Sequence, residues 1–288
     1  MGLDIEIVQT GLIKKKLPLD TVLGGKLSYG RFDGVRLVEN EIADDGIIAY
    51  DPKQIARGFN ISWTPDETKK LELRMNFPTT DEELADFMEC VSRICNSWKC
   101  TLTVDGERTD LKDFLERYDS LCAFNLDVLK MMTKQIVDGE SNTLSLFGAM
   151  WPIDLAMEEA EMFVDAEDTI AFRDYLHSKQ CLDVYYAVPH FYSMSDGRIV
   201  GVYVLSAEVR SVFPYEPSVP FGFSGADGGS LKVDEWRVML FLSEDMEHLQ
   251  TDYAQMAERL PKEKCSRFDG GHMLIEQLTI EEVKALAE

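Results

Sequence analysis

Two short segments with alternating apolar residues constrain the fold of this chain more than any other feature. Apolar side chains occupy every second position of 59–63 and again of 71–77, and polar residues stand between them. A period of two with one apolar face predicts two half-buried β-strands. The intervening Thr64-Pro65-Asp66-Glu67 is rich in turn formers, so we expect the two strands to pair as an antiparallel hairpin.

An amphipathic helix and a third strand follow this hairpin. Thr80 and Glu83 have the spacing of a capping box, and apolar residues then recur at helical spacing up to Trp98. Residues 100–104 alternate again. The helix can bury its apolar stripe on the apolar side of the sheet, which leaves the opposite side to solvent or to a partner. That polar side is predicted to carry Asn60, Ser62, Lys70, Glu72, Arg74, Thr101 and Thr103.

The rest of the pattern predicts an α+β fold in which helices cover antiparallel sheets. Helices are expected over 109–118 and 120–137, and the polar segment 138–142 is the best candidate for a break because it is short and contains glycine. We therefore expect two associated halves, 1–140 and 141–288. In the second half we expect aromatic-rich strands at 182–192, 199–205, 236–242 and 273–278, and helices at 243–260 and after Thr279.

Net charge limits the classes of partner. Asp and Glu number 52 against 29 Lys and Arg, which gives −23 at pH 7 although 45% of the residues are hydrophobic. A folded protein with so acidic a surface is not expected to bind nucleic acid or an anionic membrane, whereas a basic protein partner suits it. Neither a signal peptide nor an apolar run of membrane-spanning length is present, so we expect a cytoplasmic protein.

The densest acidic segment is 158–168, which contains six acidic residues and no basic one. Glu158, Glu159 and Glu161 are therefore candidate partner-binding residues, because peripheral charges steer the encounter with a partner of opposite sign. The alternative is a solvated helix face without a binding role. The segment lacks the ligand periodicity of a calcium loop.

Six cysteines occur, and their spacing matches neither a zinc ligand pair nor a redox motif. We expect reduced thiols that serve as small core hydrophobes, and we predict no metal and no cofactor. The cysteines are Cys90, Cys95, Cys100, Cys122, Cys181 and Cys265.

Three of the four histidines follow an aspartate by three positions. On a helix this spacing places a carboxylate and an imidazole on one face, where both could ligate a metal. An ordinary surface ion pair is the alternative, and acidic residues are abundant here. The sequence contains no standard catalytic motif, so no catalytic residue is predicted. The pairs are Asp174–His177, Asp245–His248 and Asp269–His272.

The fourth histidine, His190, is the centre of a candidate ligand site. Its parity in the predicted strand 182–192 places it with Tyr186 and Tyr192, and Tyr185 is close in sequence. A polar group among aromatic side chains is typical of a small-ligand pocket. The alternative is a hydrogen-bonded histidine that only packs in or beside the sheet.

Arg57 has the parity of the buried face of the first hairpin. A buried guanidinium needs a carboxylate or several carbonyl oxygens, so Arg57 is predicted either to form a structural ion pair or to contact an anionic ligand.

The tetrapeptide Arg-Phe-Asp-Gly occurs twice, at 31–34 and at 267–270. Each copy is followed by an apolar pair and a glutamate, at different offsets. The repeat is either accidental or marks related strand entries in the two halves.

Arg57-Gly58-Phe59 opens the first hairpin, and the second half contains Tyr185-Tyr186, Gly201-Val202-Tyr203, Phe213-Pro214 and Leu260-Pro261-Lys262-Glu263-Lys264. In these segments the chain resembles a family of bacterial proteins known as domain of unknown function 4299. The resemblance implies a bacterial cytoplasmic protein and brings no reaction or cofactor.

Our leading hypothesis is a non-enzymatic, acidic cytoplasmic protein that binds a partner. The alternative is an enzyme or small-ligand-binding protein that uses the aromatic pocket around His190.

Overall fold

The structure, a computed structural model, describes residues 1–67, 69–220, 223, 231–242 and 247–288. These residues form the α+β fold predicted from the sequence. Among them, no helix combines the length and the apolar character needed to cross a bilayer.

The chain separates into two compact units, Met1–Cys181 and Leu182–Glu288. The boundary therefore lies well after the predicted one near residue 140. The reason is that one buried apolar cluster continues across the segment 138–142 and joins Leu129 and Ile136 to Phe163 and Phe172. The polar break that we predicted is a loop within the first unit.

The part of the first unit that the structure describes forms ten strands and six helices. The strands are β1 (Gly2–Gln9), β2 (Ser28–Phe32), β3 (Leu37–Glu39), β4 (Ile47–Tyr50), β5 (Phe59–Ile61), β6 (Lys70–Asn76), β7 (Cys100–Val104), β8 (Glu107–Thr109), β9 (Leu144–Phe147) and β10 (Pro152–Leu155). The helices are α1 (Leu19–Leu23), α2 (Asp81–Ser97), α3 (Leu111–Leu115), α4 (Tyr118–Val137), α5 (Met157–Phe163) and α6 (Ile170–Gln180).

One eight-stranded antiparallel sheet dominates this unit, in the order β3-β2-β4-β5-β6-β1-β7-β8. The predicted hairpin is its β5–β6 pair, and the long strand β1 lies between β6 and β7. The apolar positions of the alternating segments are buried, and the stripe of α2 joins them in one core. This burial fixes the register, because a slip by one residue would expose every apolar side chain.

The described residues of the second unit form eight strands, two α-helices and a 3₁₀ helix at Lys262–Lys264. The strands are β11 (Tyr185–Tyr186), β12 (His190–Ser193), β13 (Ile199–Ser206), β14 (Ser211–Pro214), β15 (Glu235–Phe241), β16 (His248–Asp252), β17 (Cys265–Arg267) and β18 (His272–Ile275), and the helices are α7 (Tyr253–Arg259) and α8 (Ile280–Ala285). Two four-stranded sheets have the orders β11-β14-β18-β17 and β12-β13-β15-β16. Each contains one parallel pair, β11–β14 or β13–β15, and the other pairs are antiparallel.

The prediction of a single strand over 182–192 is wrong. Its residues form β11 and β12, which belong to different sheets. Pro189 stands between them, and a proline has no N–H with which to continue a ladder.

The helix predicted over 243–260 is wrong in its first part. Residues 243–246 lie outside the described residues, and His248–Asp252 is strand β16, paired with β15. Asp252 then accepts hydrogen bonds from the backbone N–H groups of Ala254 and Gln255, so α7 begins at Tyr253. An aspartate at this N-cap position ends the strand and starts the helix.

The repeated tetrapeptide forms the same kind of turn in both places, between β2 and β3 and between β17 and β18. Asp33 accepts hydrogen bonds from the N–H groups of Val35 and Arg36, and Asp269 accepts them from Gly271 and His272. An aspartate that binds backbone two and three residues ahead stabilises a tight turn. The repeat therefore marks two hairpin turns of matching chemistry.

The six cysteines are all free thiols, but they differ in exposure. Cys90 is buried in α2, and burial raises the pKa of its thiol to about 12. Cys181, in contrast, is exposed and is not the core residue that we predicted.

Because the thiolate is the reactive form, we expect iodoacetamide to modify Cys181 in the native protein and Cys90 only after unfolding. Alkylation followed over time by peptide mass spectrometry measures both rates in one sample. Rapid native modification of Cys90 would contradict the packing described for α2.

Candidate functional site

The structure separates the three acidic partner-binding candidates on α5. Glu158 and Glu161 are exposed. Glu159 is 4% exposed, and its carboxylate accepts a hydrogen bond of 3.0 Å from the backbone N–H of Ala156. Glu159 therefore caps the first turn of α5. The prediction that Glu159 binds a partner is wrong, because a buried capping carboxylate cannot contact a partner's surface.

The predicted pocket around His190 does not form as expected. His190 is exposed on β12, where it pairs with Val202 of β13, and Tyr192 is 52% exposed. Tyr185 and Tyr186 belong to β11 in the other sheet of this unit. The strand parity that grouped these residues is lost at the break between β11 and β12.

Tyr186 instead contacts a different histidine. Its hydroxyl lies 3.0 Å from Nε2 of His272, and Nδ1 of His272 lies 2.9 Å from the carboxylate of Asp269. In the neutral ring, Nδ1–H donates to Asp269, and Nε2 accepts from the tyrosine hydroxyl. The Asp269–His272 pair is thus real, but it lies in the β17–β18 turn rather than on a helix face.

The Asp174–His177 pair gives no site. On α6, Nδ1 of His177 accepts a hydrogen bond from the backbone N–H of Ile55, whereas Asp174 binds its neighbour Arg173. Asp245 lies outside the described residues, so its pairing with His248 stays a prediction.

Arg57 is buried, and backbone carbonyls hold its guanidinium. Nε donates to Phe147 at 2.9 Å, and one terminal nitrogen donates to Pro78 at 2.9 Å and to Asn76 at 3.4 Å. Burial lowers the pKa of Arg57 to about 10, so the side chain stays charged at neutral pH. These contacts favour the structural role over contact with an anionic ligand.

Glu83 completes the same buried network, and only half of the predicted capping box forms. Thr80 Oγ1 accepts from the Glu83 N–H at 3.1 Å, but the Glu83 carboxylate turns to the backbone N–H groups of Arg57 and Gly58, at 3.2 and 2.6 Å, and to the Thr79 hydroxyl. Gly58 has φ +67°, and a Cβ there would meet Ile48 at 2.7 Å. Only glycine fits this backbone, which lets two consecutive N–H groups converge on one carboxylate.

The uncovered face of the eight-stranded sheet is the candidate functional site. The predicted polar positions of β5, β6 and β7 lie there, and all of them are exposed or half-buried. The face carries an open cavity of about 760 Å³, contributed by β1, β2, β4, β5, β6 and β7 with the turns beside them. We call this surface the sheet-face cavity.

Ion pairs order the charged side chains of the sheet-face cavity. Glu6 and Glu72 stand directly opposite each other on β1 and β6, an arrangement that alone would be repulsive. Lys70, which stands beside the cavity and not in its lining, bridges them at 2.6 Å from Glu6 and 2.7 Å from Glu72. These contacts raise the pKa of Lys70. Arg74 binds both carboxylate oxygens of Asp4, at 2.7 and 2.6 Å.

The lining of the sheet-face cavity keeps an excess of negative charge. Among the residues that line it, four are acidic and two are basic. Asp45 is exposed and makes no ion pair within the described part of the chain. Half-buried Ile48 and Phe32 add apolar surface beside these charges. The charged lining residues are Asp4, Glu6, Asp45 and Glu72 with Arg31 and Arg74.

Part of this site was missed in the sequence. The alternation of Asp4 and Glu6 with Leu3, Ile5 and Ile7 does indicate one polar strand face. No local sequence pattern predicts that β1 pairs between β6 and β7. This pairing brings the two acids beside Glu72 and Arg74.

The fold and this cavity define an α+β protein whose main sheet is covered on one side and presents a charged, open surface on the other. The chain belongs to the family described as Domain of unknown function (DUF4299), whose model matches residues 2–286. No curated protein and no solved structure matches the chain significantly.

Proposed function

We propose that this protein is a non-enzymatic, cytoplasmic bacterial protein that binds a basic partner through the sheet-face cavity. The observation that carries the proposal is a cavity of about 760 Å³ on an uncovered sheet, lined by twice as many acidic as basic side chains. A cationic segment of a partner would pair with the excess carboxylates. The half-buried Ile48 and Phe32 would contact its apolar parts.

Electrostatics supports a steering role for this surface. A protein of net charge −23 attracts basic partners from any direction, and an open negative cavity directs the final approach. Exposed Glu158 and Glu161 on α5 form the rival acidic surface. The two surfaces can be compared with matched variants, because each offers two exposed carboxylates to neutralise.

We expect the double variant Asp45→Asn/Glu72→Gln to slow association with the partner, because it removes two negative charges from the cavity. The partner is first isolated by affinity capture from bacterial cytoplasm at low and high salt. Association rates are then measured by surface plasmon resonance at two ionic strengths. The wild-type rate should fall as salt rises, since the screening length is about 8 Å at physiological ionic strength.

The matched control is Glu158→Gln/Glu161→Gln, which changes the net charge by the same amount on α5. If only this variant slows association, the acidic segment is the binding surface and the proposal for the sheet face is wrong. If neither variant changes the association rate, and the wild-type association rate does not depend on salt concentration, the binding is not electrostatic and the proposal is wrong.

A further inference from the structure

A second cavity in the first unit has the opposite charge character. It measures about 800 Å³ and lies beside β8, at the edge of the eight-stranded sheet, between the end of α2 and α3. We call it the edge cavity. Three basic residues line it, Lys99, Arg108 and Arg117, against two acidic ones, Asp110 and Asp113. An excess of positive charge is unexpected in a chain with 52 acidic and 29 basic residues.

The three basic side chains are available to a ligand. All three are exposed, and within the described residues no carboxylate lies at ion-pair distance from any of them. The terminal nitrogen of Arg117 makes a long hydrogen bond of 3.4 Å to Thr109 Oγ1. One acid is already engaged, because Asp110 caps α3 by accepting from the Asp113 N–H at 2.8 Å.

Trp98 and two thiols complete the lining. The indole Nε1 of Trp98 is buried and has no hydrogen-bond partner among the residues that the structure describes, so it adds no donor that an anion in the open cavity could reach. Cys95 and Cys100 line the same cavity, with Sγ of Cys100 3.9 Å from the Cys95 carbonyl oxygen. A hydrogen bond between the two thiols raises the pKa of Cys95 and lowers that of Cys100.

We propose that the edge cavity binds a small polyanion, a phosphate ester or a polycarboxylate, held by Lys99, Arg108 and Arg117. Arginine forks bind phosphate or carboxylate oxygens in pairs, and a lysine adds a mobile point charge. The acidic remainder of the surface repels an extended polyanion such as nucleic acid, so a compact anion that contacts only this cavity is favoured. This site is independent of the partner-binding surface on the sheet face.

Cys100 serves as a reporter in the test. Alkylation of intact protein by iodoacetate, an anion, is compared with alkylation by neutral iodoacetamide, and peptide mass spectrometry reads Cys100 and the exposed Cys181 in the same sample. We expect the iodoacetate-to-iodoacetamide rate ratio at Cys100 to exceed that at Cys181 by about tenfold, because positive clefts concentrate anions. Pyrophosphate or citrate at constant ionic strength should slow the modification of Cys100 and leave Cys181 unchanged.

Variants at exposed positions separate this proposal from a general charge effect. Arg108→Gln/Arg117→Gln should abolish the protection, and Asp113→Asn should strengthen it. The control is Lys112→Gln, a neighbouring lysine that is 83% exposed, pairs with Glu116 and does not line the cavity. Calorimetric titration with pyrophosphate and with citrate measures binding without the thiol, and their relative affinities distinguish the two ligand classes. The proposal is overturned if neither anion binds, or if Lys112→Gln weakens binding as much as the arginine variants do.

Discussion

Replacement of Glu83 by alanine is expected to lower the free energy of unfolding by about 3–5 kcal/mol, the range typical of breaking a buried charged network. Glu83 is 5% exposed and accepts hydrogen bonds from the N–H groups of Arg57 and Gly58. Without the carboxylate, both N–H groups lose their partner, and the buried Arg57 guanidinium loses the nearby negative charge. Glutamine should recover only part of the loss, because its amide nitrogen cannot accept a hydrogen bond.

The matched control is Glu89→Ala on the same helix. The Glu89 side chain is 63% exposed and pairs with Arg93 across one helical turn. An exposed pair of this kind contributes little, so we expect a change below about 0.5 kcal/mol. Urea unfolding of both variants measures the two values. A loss below about 1 kcal/mol for Glu83→Ala would mean that the Arg57–Glu83 network is not a principal source of stability.

The network also explains why the segment Arg57-Gly58-Phe59 contains these three residue types. Gly58 adopts a backbone that only glycine tolerates, and Phe59 is fully buried in the core. The Arg57 guanidinium binds three carbonyls from two separate segments of the unit, one at Asn76 and Pro78 and the other at Phe147. All three positions are thus explained by folding. The structure therefore gives no reason to treat this segment as part of the binding surface.

Local patterns were sufficient for the elements whose apolar period is unambiguous. The hairpin β5–β6, helix α2 and strand β7 follow directly from alternation and helical spacing, because each buries one face in the same core. The second unit was harder to predict. Apolar residues at 249, 253, 256 and 260 resemble one helical stripe, yet the first lies on strand β16 and the next two on α7, beyond the cap at Asp252.

Long-range pairing accounts for what the sequence could not predict about the candidate sites. The partner of Glu83 is the backbone at Arg57 and Gly58, a choice that the capping-box pattern cannot reveal. The acids of β1 join Glu72 only through the register of β1 against β6. In the edge cavity, Lys99, Arg108 and Arg117 stand close in the sequence, but no periodicity or motif indicates that they line one cavity. In the first two cases the contacts join residues far apart in the chain.

Replacement of Asp269 by alanine is expected to cost about 3 kcal/mol or more, whereas the equivalent change at Asp33 should cost about 1 kcal/mol. Both aspartates hold the turn of an Arg-Phe-Asp-Gly copy by accepting two backbone N–H groups. Their environments differ. The Asp33 side chain is 32% exposed, so water can replace it as acceptor, whereas the Asp269 side chain is fully buried and also binds Nδ1 of His272.

Amide hydrogen exchange, measured separately for the two units, tests this comparison. It reports local stability, which differs from one part of a protein to another. Loss of Asp269 leaves two N–H groups and an imidazole without their acceptor, so amides of β17 and β18 should exchange faster in Asp269→Ala. Asp33→Ala should affect mainly β2 and β3, and by less. Equal effects of the two substitutions would show that burial does not set the strength of this turn. An Asp269→Ala variant whose β17 and β18 amides keep native protection would exclude Asp269 as the residue that holds the hairpin.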